Sequence, residues 1–374
     1  MASSNVATRW RELSGQKNWD GLLHPLDLDL RHYIIHYGER AGAVGDLFNN
    51  KKESSGFGHS LYPKEEFFSG ACLEKGNKFK HSVTHFFYAG SDAVESAWFG
   101  YVAVTTDEGK AVLGRRDILV AWRGTITDSE WFNNVNFFQT SASELFGTDN
   151  QAMVHSGFLS LYTGTRSDSA HNKTSARHQV RDAVRELVNK YQDEEISITV
   201  TGFSLGAALA TLNAMDIVAN GYNKPKDNAQ KSCMVTGFVF GGPCVGNDGL
   251  KEVFKRLGAH DLHLLRITNA RDPVHRLPIG SYIHLGEELK INSTKSNYLK
   301  WNVSAHNMEI YLHGVAGVQD EGFHLEVDHD VALVNKYLDR LKDKHKIPPN
   351  WWEGENRKNM VQADNGHWTV IIKE

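Results

Sequence analysis

Residues 200–212, VTGFSLGAALATL, set a serine two residues from a glycine on either side. Upstream, ISITVTG (196–202) alternates like a buried strand. Downstream, Leu205, Ala208, Leu209, Leu212 and Met215 recur along one face of a helix that begins at once. In a chain with 33 glycines, the G-x-S-x-G pattern alone arises easily by chance, so its setting carries the meaning. Strand, sharp turn and helix hold such a serine in a strained conformation and aim its hydroxyl out of the sheet. Gly202 and Gly206, lacking side chains, let strand and helix approach closely. The turn also puts Ser204 at a helix N-terminus, whose N–H groups favour developing negative charge. Ser204 is therefore a candidate nucleophile.

A serine hydroxyl needs a base, and the base needs a carboxylate to orient it. In folds built around such an elbow the chain order is Ser, acid, His. LLRITNARDPVHRLP (264–278) supplies Asp272 a few residues after a buried strand, with Pro273 stiffening the loop. Asp248 and Asp261 are less well placed. After Asp272 the candidate bases are His275, His284, His306, His313, His324 and His329. His306 precedes a helical pattern (Met308, Tyr311, Leu312), whereas His313 falls inside it. A base above a sheet belongs on a loop, which favours His306. The spacings of His306 with His313 and of His324 with His329 lack the i, i+4 pairing and carboxylate of a zinc helix, so no metal is expected.

Around the elbow the hydrophobic period alternates. Helical patterns run over 175–191, 205–220 and 250–257, and strand patterns over 196–201, 235–240 and 262–267. Strands 99–104 and 118–122 form a further pair across a polar connection. Alternation of this kind predicts an α/β fold with a mostly parallel central sheet flanked by helices. Apolar residues every three or four positions over 25–49 predict an N-terminal helical region. A final helix is expected over 328–342, packed through Val331, Val334, Leu338 and Leu341. The tail carries Trp351, Trp352 and Trp368 and is expected to dock. The resulting division is 1–80 as an N-terminal helical region, 81–345 as the catalytic domain and 346–374 as a docked tail.

Composition narrows the function classes. A formal net charge of −4 with interspersed signs, 40% hydrophobic and 23% charged residues suit a soluble globular protein and give no basic surface for nucleic acid. No apolar stretch approaches the roughly 20 residues that span a bilayer. Three widely spaced cysteines (72, 233, 244) imply neither a disulfide framework nor a zinc ribbon and suit a reducing compartment. With no apolar export segment near residue 1, the expected location is the cytosol. Sequons at Asn172, Asn292 and Asn302 are the contrary sign and weigh little without export.

With these residues in view, the chain resembles the class 3 lipases, and within them the plant class II phospholipase A1 group. The resemblance runs through WRELSGQKNWDGLLHPLDLDLRHYIIHYGERA (10–41), GYVAVTTDEGKAVLGRRDILVAWRGT (100–125), KTSARHQV (173–180), DEEISITVTGFSLGAALATLNAMDIVANGYNKPKD (193–227) and NMEIYLHGVAG (307–317), nearly the whole chain. It implies an α/β-hydrolase fold of class 3 lipase type with a lid helix, and the assignments Ser204, Asp272 and His306. Leu205, following the nucleophile, supplies one oxyanion donor, and the resemblance implies Thr125 for the other. It also puts a lid at DSEWFNNVNFFQ (128–139), where Trp131, Val135 and Phe138 fall at i, i+4 and i+7 with Phe132 beside them. An amphipathic helix there would turn its aromatic face to lipid. The implied activity is hydrolysis of the sn-1 ester of phospholipid at a lipid surface, without cofactor. Galactolipid, monoacylglycerol or triacylglycerol hydrolysis uses the same residues, and a lipase-like binding or signalling protein without turnover is the alternative of another class. Oligomeric state is left open. Four positions depart from the family: Phe203 for histidine, Gly242 and Cys244 for serine and arginine, and Ala305 for tryptophan. Losing the arginine is expected to loosen packing beside the elbow.

Overall fold

The computed structural model describes residues 6–125, 137–228, 230–259, 261–301, 304–318 and 322–371. Seven strands form one sheet: β1 (His81–Ser91), β2 (Val94–Thr105), β3 (Arg116–Trp122), β4 (Ile196–Phe203), β5 (Met234–Phe240), β6 (Leu262–Asn269) and β7 (Glu287–Ile291). They lie side by side in chain order, antiparallel from β1 to β3 and parallel from β3 to β7. In register, Trp122 faces Gly202, and Phe203 faces Phe240. The carboxyl ends of the parallel strands therefore share one edge, where α/β sheets place their sites.

The long helices are α1 (Val6–Leu13), α2 (Leu28–Asp46), α3 (Ala176–Lys190), α4 (Leu205–Ala219), α5 (Asp248–Gly258) and α6 (Met308–Ala316). One sheet face packs on α2 and α6, with Tyr33, Tyr37, Phe238, Ile267 and Leu312 in a common core. The other packs on α3, α4 and α5 through Val184, Leu209, Val200, Val235 and Val253. Thirteen of the fifteen α4 residues, Leu205 to Ile217, are buried, as expected of a helix apolar on all sides.

Two buried polar clusters tie the layers. Asp117 on β3 accepts hydrogen bonds from Tyr37 of α2 (2.8 Å) and from Ser197 and Thr199 of β4 (2.6 and 2.8 Å). Arg177 of α3 grips Asp216 of α4 with Nε and a terminal nitrogen at 2.9 and 3.0 Å, while the Tyr162 hydroxyl donates to the same carboxylate at 2.9 Å. A buried carboxylate needs such partners, because each unpaired charge inside the fold is costly.

The sheet and helices match the alternation read from sequence, with three additions and one correction. Strands β1 and β7 lie outside the segments read as periodic, and a short helix, Asp107–Leu113, interrupts the connection between β2 and β3. The expected helix over 328–342 is instead a short turn, Val331–Asn335, after which the chain bends to bridge Leu341 with Leu299. The reason lies in Asn335: its side-chain oxygen accepts from the N–H groups of Arg340 and Leu341, at 2.7 and 2.8 Å, and its amide donates to the Ile347 carbonyl. That side chain satisfies backbone groups a helix would otherwise pair. Val334 and Leu341 still pack inward, but Leu338 is exposed. Beyond it, Trp351 and Trp368 are buried against Ala332 and Met360.

Asn172 is wholly buried, its amide donating to the carbonyls of Gly164 and Thr174, so that sequon lies inside the fold. Among the described residues no helix is long and apolar enough to cross a membrane.

Candidate active site

Ser204 sits between β4 and α4 with φ 56° and ψ −123°. A non-glycine residue at positive φ is strained, and such strain persists only where surrounding structure imposes it. Here the imposition is steric. A Cβ on Gly202 would meet the Gly206 carbonyl at 2.3 Å, and one on Gly206 would meet the Trp122 carbonyl at 2.4 Å. The two glycines thus let α4 start directly against β3 and β4, and the Ser204 N–H is held by the Phe240 carbonyl at 2.9 Å.

Asp272 follows β6 in a tight turn, with its own N–H on the Asn269 carbonyl at 2.9 Å. Asn269 reaches further: its amide donates to the Ala305 carbonyl at 3.2 Å and to Ser293 at 2.8 Å, fixing the loop that ends in His306. Asn307 then caps α6, its side chain accepting from the Ile310 N–H.

These turns bring three distant residues together. His306 Nδ1 lies 2.7 Å from Asp272 Oδ2, and His306 Nε2 lies 2.9 Å from Ser204 Oγ. With Nδ1–H donating to the carboxylate, Nε2 is left as acceptor for the serine hydroxyl. Ser204 and Asp272 are buried, and the His306 side chain is only 9% exposed. Burial alone would raise the Asp272 pKa, but hydrogen bonds from His306, Tyr311 and the Val274 N–H overcome it and hold the carboxyl below its usual range.

Two neighbours were named in the sequence without a role in the site. The Tyr311 hydroxyl donates to Asp272 Oδ2 at 2.5 Å while accepting from the Asn269 N–H, and burial followed by the Asp272 charge pushes its pKa far up. Phe203, the departure from histidine, stacks on the His306 ring, with centroids 4.6 Å apart and planes 28° from parallel. Read from sequence, Tyr311 was one of several apolar-face residues of a helix, and only the fold turns it towards Asp272.

The remaining candidates fall as follows. Leu205 is buried as the first residue of α4. Thr125 ends the segment after β3. Its neighbour Gly124 packs against the elbow, where an added Cβ would come 3.6 Å from the Ser204 Cβ, and the Thr125 hydroxyl has no partner among the described residues. Trp131, Phe132 and Val135 lie outside the described residues, whereas Phe138 is 70% exposed. His313 is buried in α6 on Ser296, its pKa pushed down to about 3 by burial and by the nearby His329 and His345. Where the family arginine would stand, Cys244 contacts His284 at 3.3 Å, and a small cavity of about 20 Å³ lies among Ala207, Gly242, Cys244, Arg266 and His284.

A hydroxyl on a strained elbow, in line with an imidazole and a buried carboxylate, is the arrangement that serves acyl transfer. Residues 119–282 match the family "Lipase (class 3)". The chain is 48% identical to phospholipase A1-II 6 of Oryza sativa subsp. japonica, over 99% of this chain and 96% of that one. It is 45% identical to phospholipase A1-IIgamma of Arabidopsis thaliana, over 100% and 95%. Among solved structures, the nonglycosylated LIP2 lipase of Yarrowia lipolytica superposes with a TM-score of 0.50 at 20% identity, over 71% of this chain and 81% of that one, and so shares the fold. This degree of likeness, along nearly every residue of both plant proteins, means that the chain belongs to the phospholipase A1-II family of class 3 lipases.

Proposed function

We propose that this chain is a phospholipase A1, a serine hydrolase that cleaves the sn-1 acyl ester of glycerophospholipids at a lipid surface. The observation that carries the reading is the unbroken relay from Asp272 through His306 to Ser204, with links of 2.7 and 2.9 Å. Ser204 Oγ attacks the ester carbonyl carbon as His306 Nε2 takes its proton, and Asp272 orients the ring and stabilises the imidazolium. The N–H groups of Leu205 and Thr125 take the oxyanion, each contributing about 3 kcal/mol to lowering the barrier. His306 then returns the proton to the departing alkoxide, which leaves as lysophospholipid with the acyl group on Ser204. Water, deprotonated by the same imidazole, releases the fatty acid and restores the serine.

These steps call for no cofactor or metal. A lid at residues 128–139 is the reading the family implies, supported at one described position by the exposure of Phe138. A cytosolic location is supported by three free cysteines.

The test is incubation with phosphatidylcholine carrying different acyl chains at sn-1 and sn-2, with Ser204→Ala as control. Release of the sn-1 acid by the parent and not by the variant is expected. Release of the sn-2 chain first overturns the positional reading. No release, together with no fluorophosphonate labelling of Ser204, overturns the hydrolase reading.

A further inference from the structure

The two most exposed large hydrophobic side chains among the described residues are Ile279 and Trp301, at 84% and 83%. Both stand on the loops that deliver the site. Ile279 belongs to the loop that leaves Asp272, and Trp301 lies five residues before His306. The loops meet at Arg271, beside Asp272 in the chain, whose exposed guanidinium lies over the Trp301 ring at 5.6 Å from its centroid. Among the described residues no carboxylate pairs with Arg271. At its far end the Asp272 loop is laced to a third segment: the Tyr282 hydroxyl donates to the Phe137 carbonyl at 3.0 Å, and the Gln139 amide donates to Ser281 Oγ at 3.1 Å. That segment presents Phe138, 70% exposed.

Scattered surface hydrophobics need no explanation, but large ones gathered on loops that share one site mark an interaction surface. We infer that Trp301 and Ile279 are anchors that insert into a phospholipid surface, with Arg271 pairing with a lipid phosphate beneath the Trp301 ring. The inference rests on the phospholipase reading for the choice of lipid. Tryptophan suits the boundary, one edge of its ring apolar and its N–H polar, and isoleucine suits the acyl region below. Arginine offers phosphate a planar fork of donors while its own face stays on the indole. The net charge of −4 supplies no long-range attraction to anionic lipid, so insertion of apolar groups with one phosphate contact is the mode the surface allows. Leu28, at the start of α2, is an exposed apolar residue outside these loops and serves as a control.

The test uses the full chain carrying Ser204→Ala, so that binding is measured without turnover, and pelleting with phosphatidylcholine vesicles. Adding Trp301→Ala and Ile279→Ser together is expected to lower partitioning about tenfold or more, while Leu28→Ser leaves it unchanged and all variants melt together. Arg271→Gln is expected to weaken binding to these vesicles and not to droplets of triacylglycerol, which lack phosphate. The proposal is overturned if the Trp301/Ile279 double variant partitions as its parent does, or if Leu28→Ser loses as much. Equal loss on both lipids overturns the phosphate contact. Fluorophosphonate labelling of the serine-intact protein reports the chemistry separately. A chain that labels but docks without Trp301 and Ile279 refutes the docking alone, and one that docks through them without labelling refutes the hydrolase reading alone.

Discussion

The ring of Phe203 lies on the imidazole of His306, 4.6 Å between centroids, so the residue before the candidate nucleophile also braces its base. The two ring nitrogens are held by Asp272 and Ser204, which leaves the imidazole little freedom to turn. Removing the brace by Phe203→Ala should lower kcat/KM by roughly 3- to 30-fold, the loss expected from slackened orientation rather than a missing group. Steady-state kinetics on a dissolved short-chain ester check this, and an unchanged kcat/KM would show that the stack does not orient the base.

Tyr311→Phe removes a hydroxyl that donates to a buried carboxylate at 2.5 Å. A hydrogen bond to a charged group contributes about 1.5–3 kcal/mol, so the variant should melt several degrees lower and lose about tenfold in kcat with little change in KM. Calorimetry and kinetics on the same preparation separate the two effects.

The depressed pKa of Asp272 ties stability to pH with a definite sign. A carboxylate that is more acidic folded than unfolded stabilises the fold fully above its unfolded value of about 3.9, and that contribution is lost as pH falls through the lower folded value. The stability gap between the parent and Asp272→Asn, measured by urea unfolding, should be constant from pH 7 to about 5 and shrink below about 4. A gap that grows in acid would contradict the assignment.

Strain at the elbow predicts a trade of activity for stability. Both Ser204→Ala and Ser204→Gly should be inactive, but only glycine relieves the positive φ. The glycine variant should therefore be about 1 kcal/mol more stable than the alanine variant. Equilibrium unfolding of the pair isolates the backbone term, because both lack the hydroxyl.

Asp216→Ala leaves the Arg177 guanidinium without its bidentate partner, since its other carboxylate contact, Glu144 at 3.3 Å, lies on a mostly exposed side chain. Breaking a buried pair from one side costs about 3–5 kcal/mol. Replacing both residues by apolar ones of similar size should recover much of that loss in a double-mutant cycle.

Much of the framework was legible because it repeats with a period. Strands β4, β5 and β6 and helices α3, α4 and α5 each bury one face or all faces against a neighbour, so their apolar spacing announces them within a few residues. The elbow was legible because two glycines are needed where strand and helix collide, and Asp272 because it follows a buried strand into a stiffened turn. The helix expected over 328–342 failed for the opposite reason: its period is helical, but the Asn335 side chain takes the backbone donors, a competition that periodicity does not register.

By itself, then, the chain's pattern of apolar residues and glycines determined an α/β sheet, the position of the sharp turn, and the residue types able to perform acyl transfer. Only the tertiary structure brought His306, favoured in sequence by its loop position, to Ser204, and decided that Tyr311 serves Asp272 and that Phe203 backs the ring. The physical reason is separation: His306 and Ser204 stand 102 residues apart, and their 2.9 Å contact is the sum of turns at Asn269, Asn307 and the elbow. Periodicity reports what each segment must bury, whereas the meeting of polar tips depends on how those segments are finally stacked.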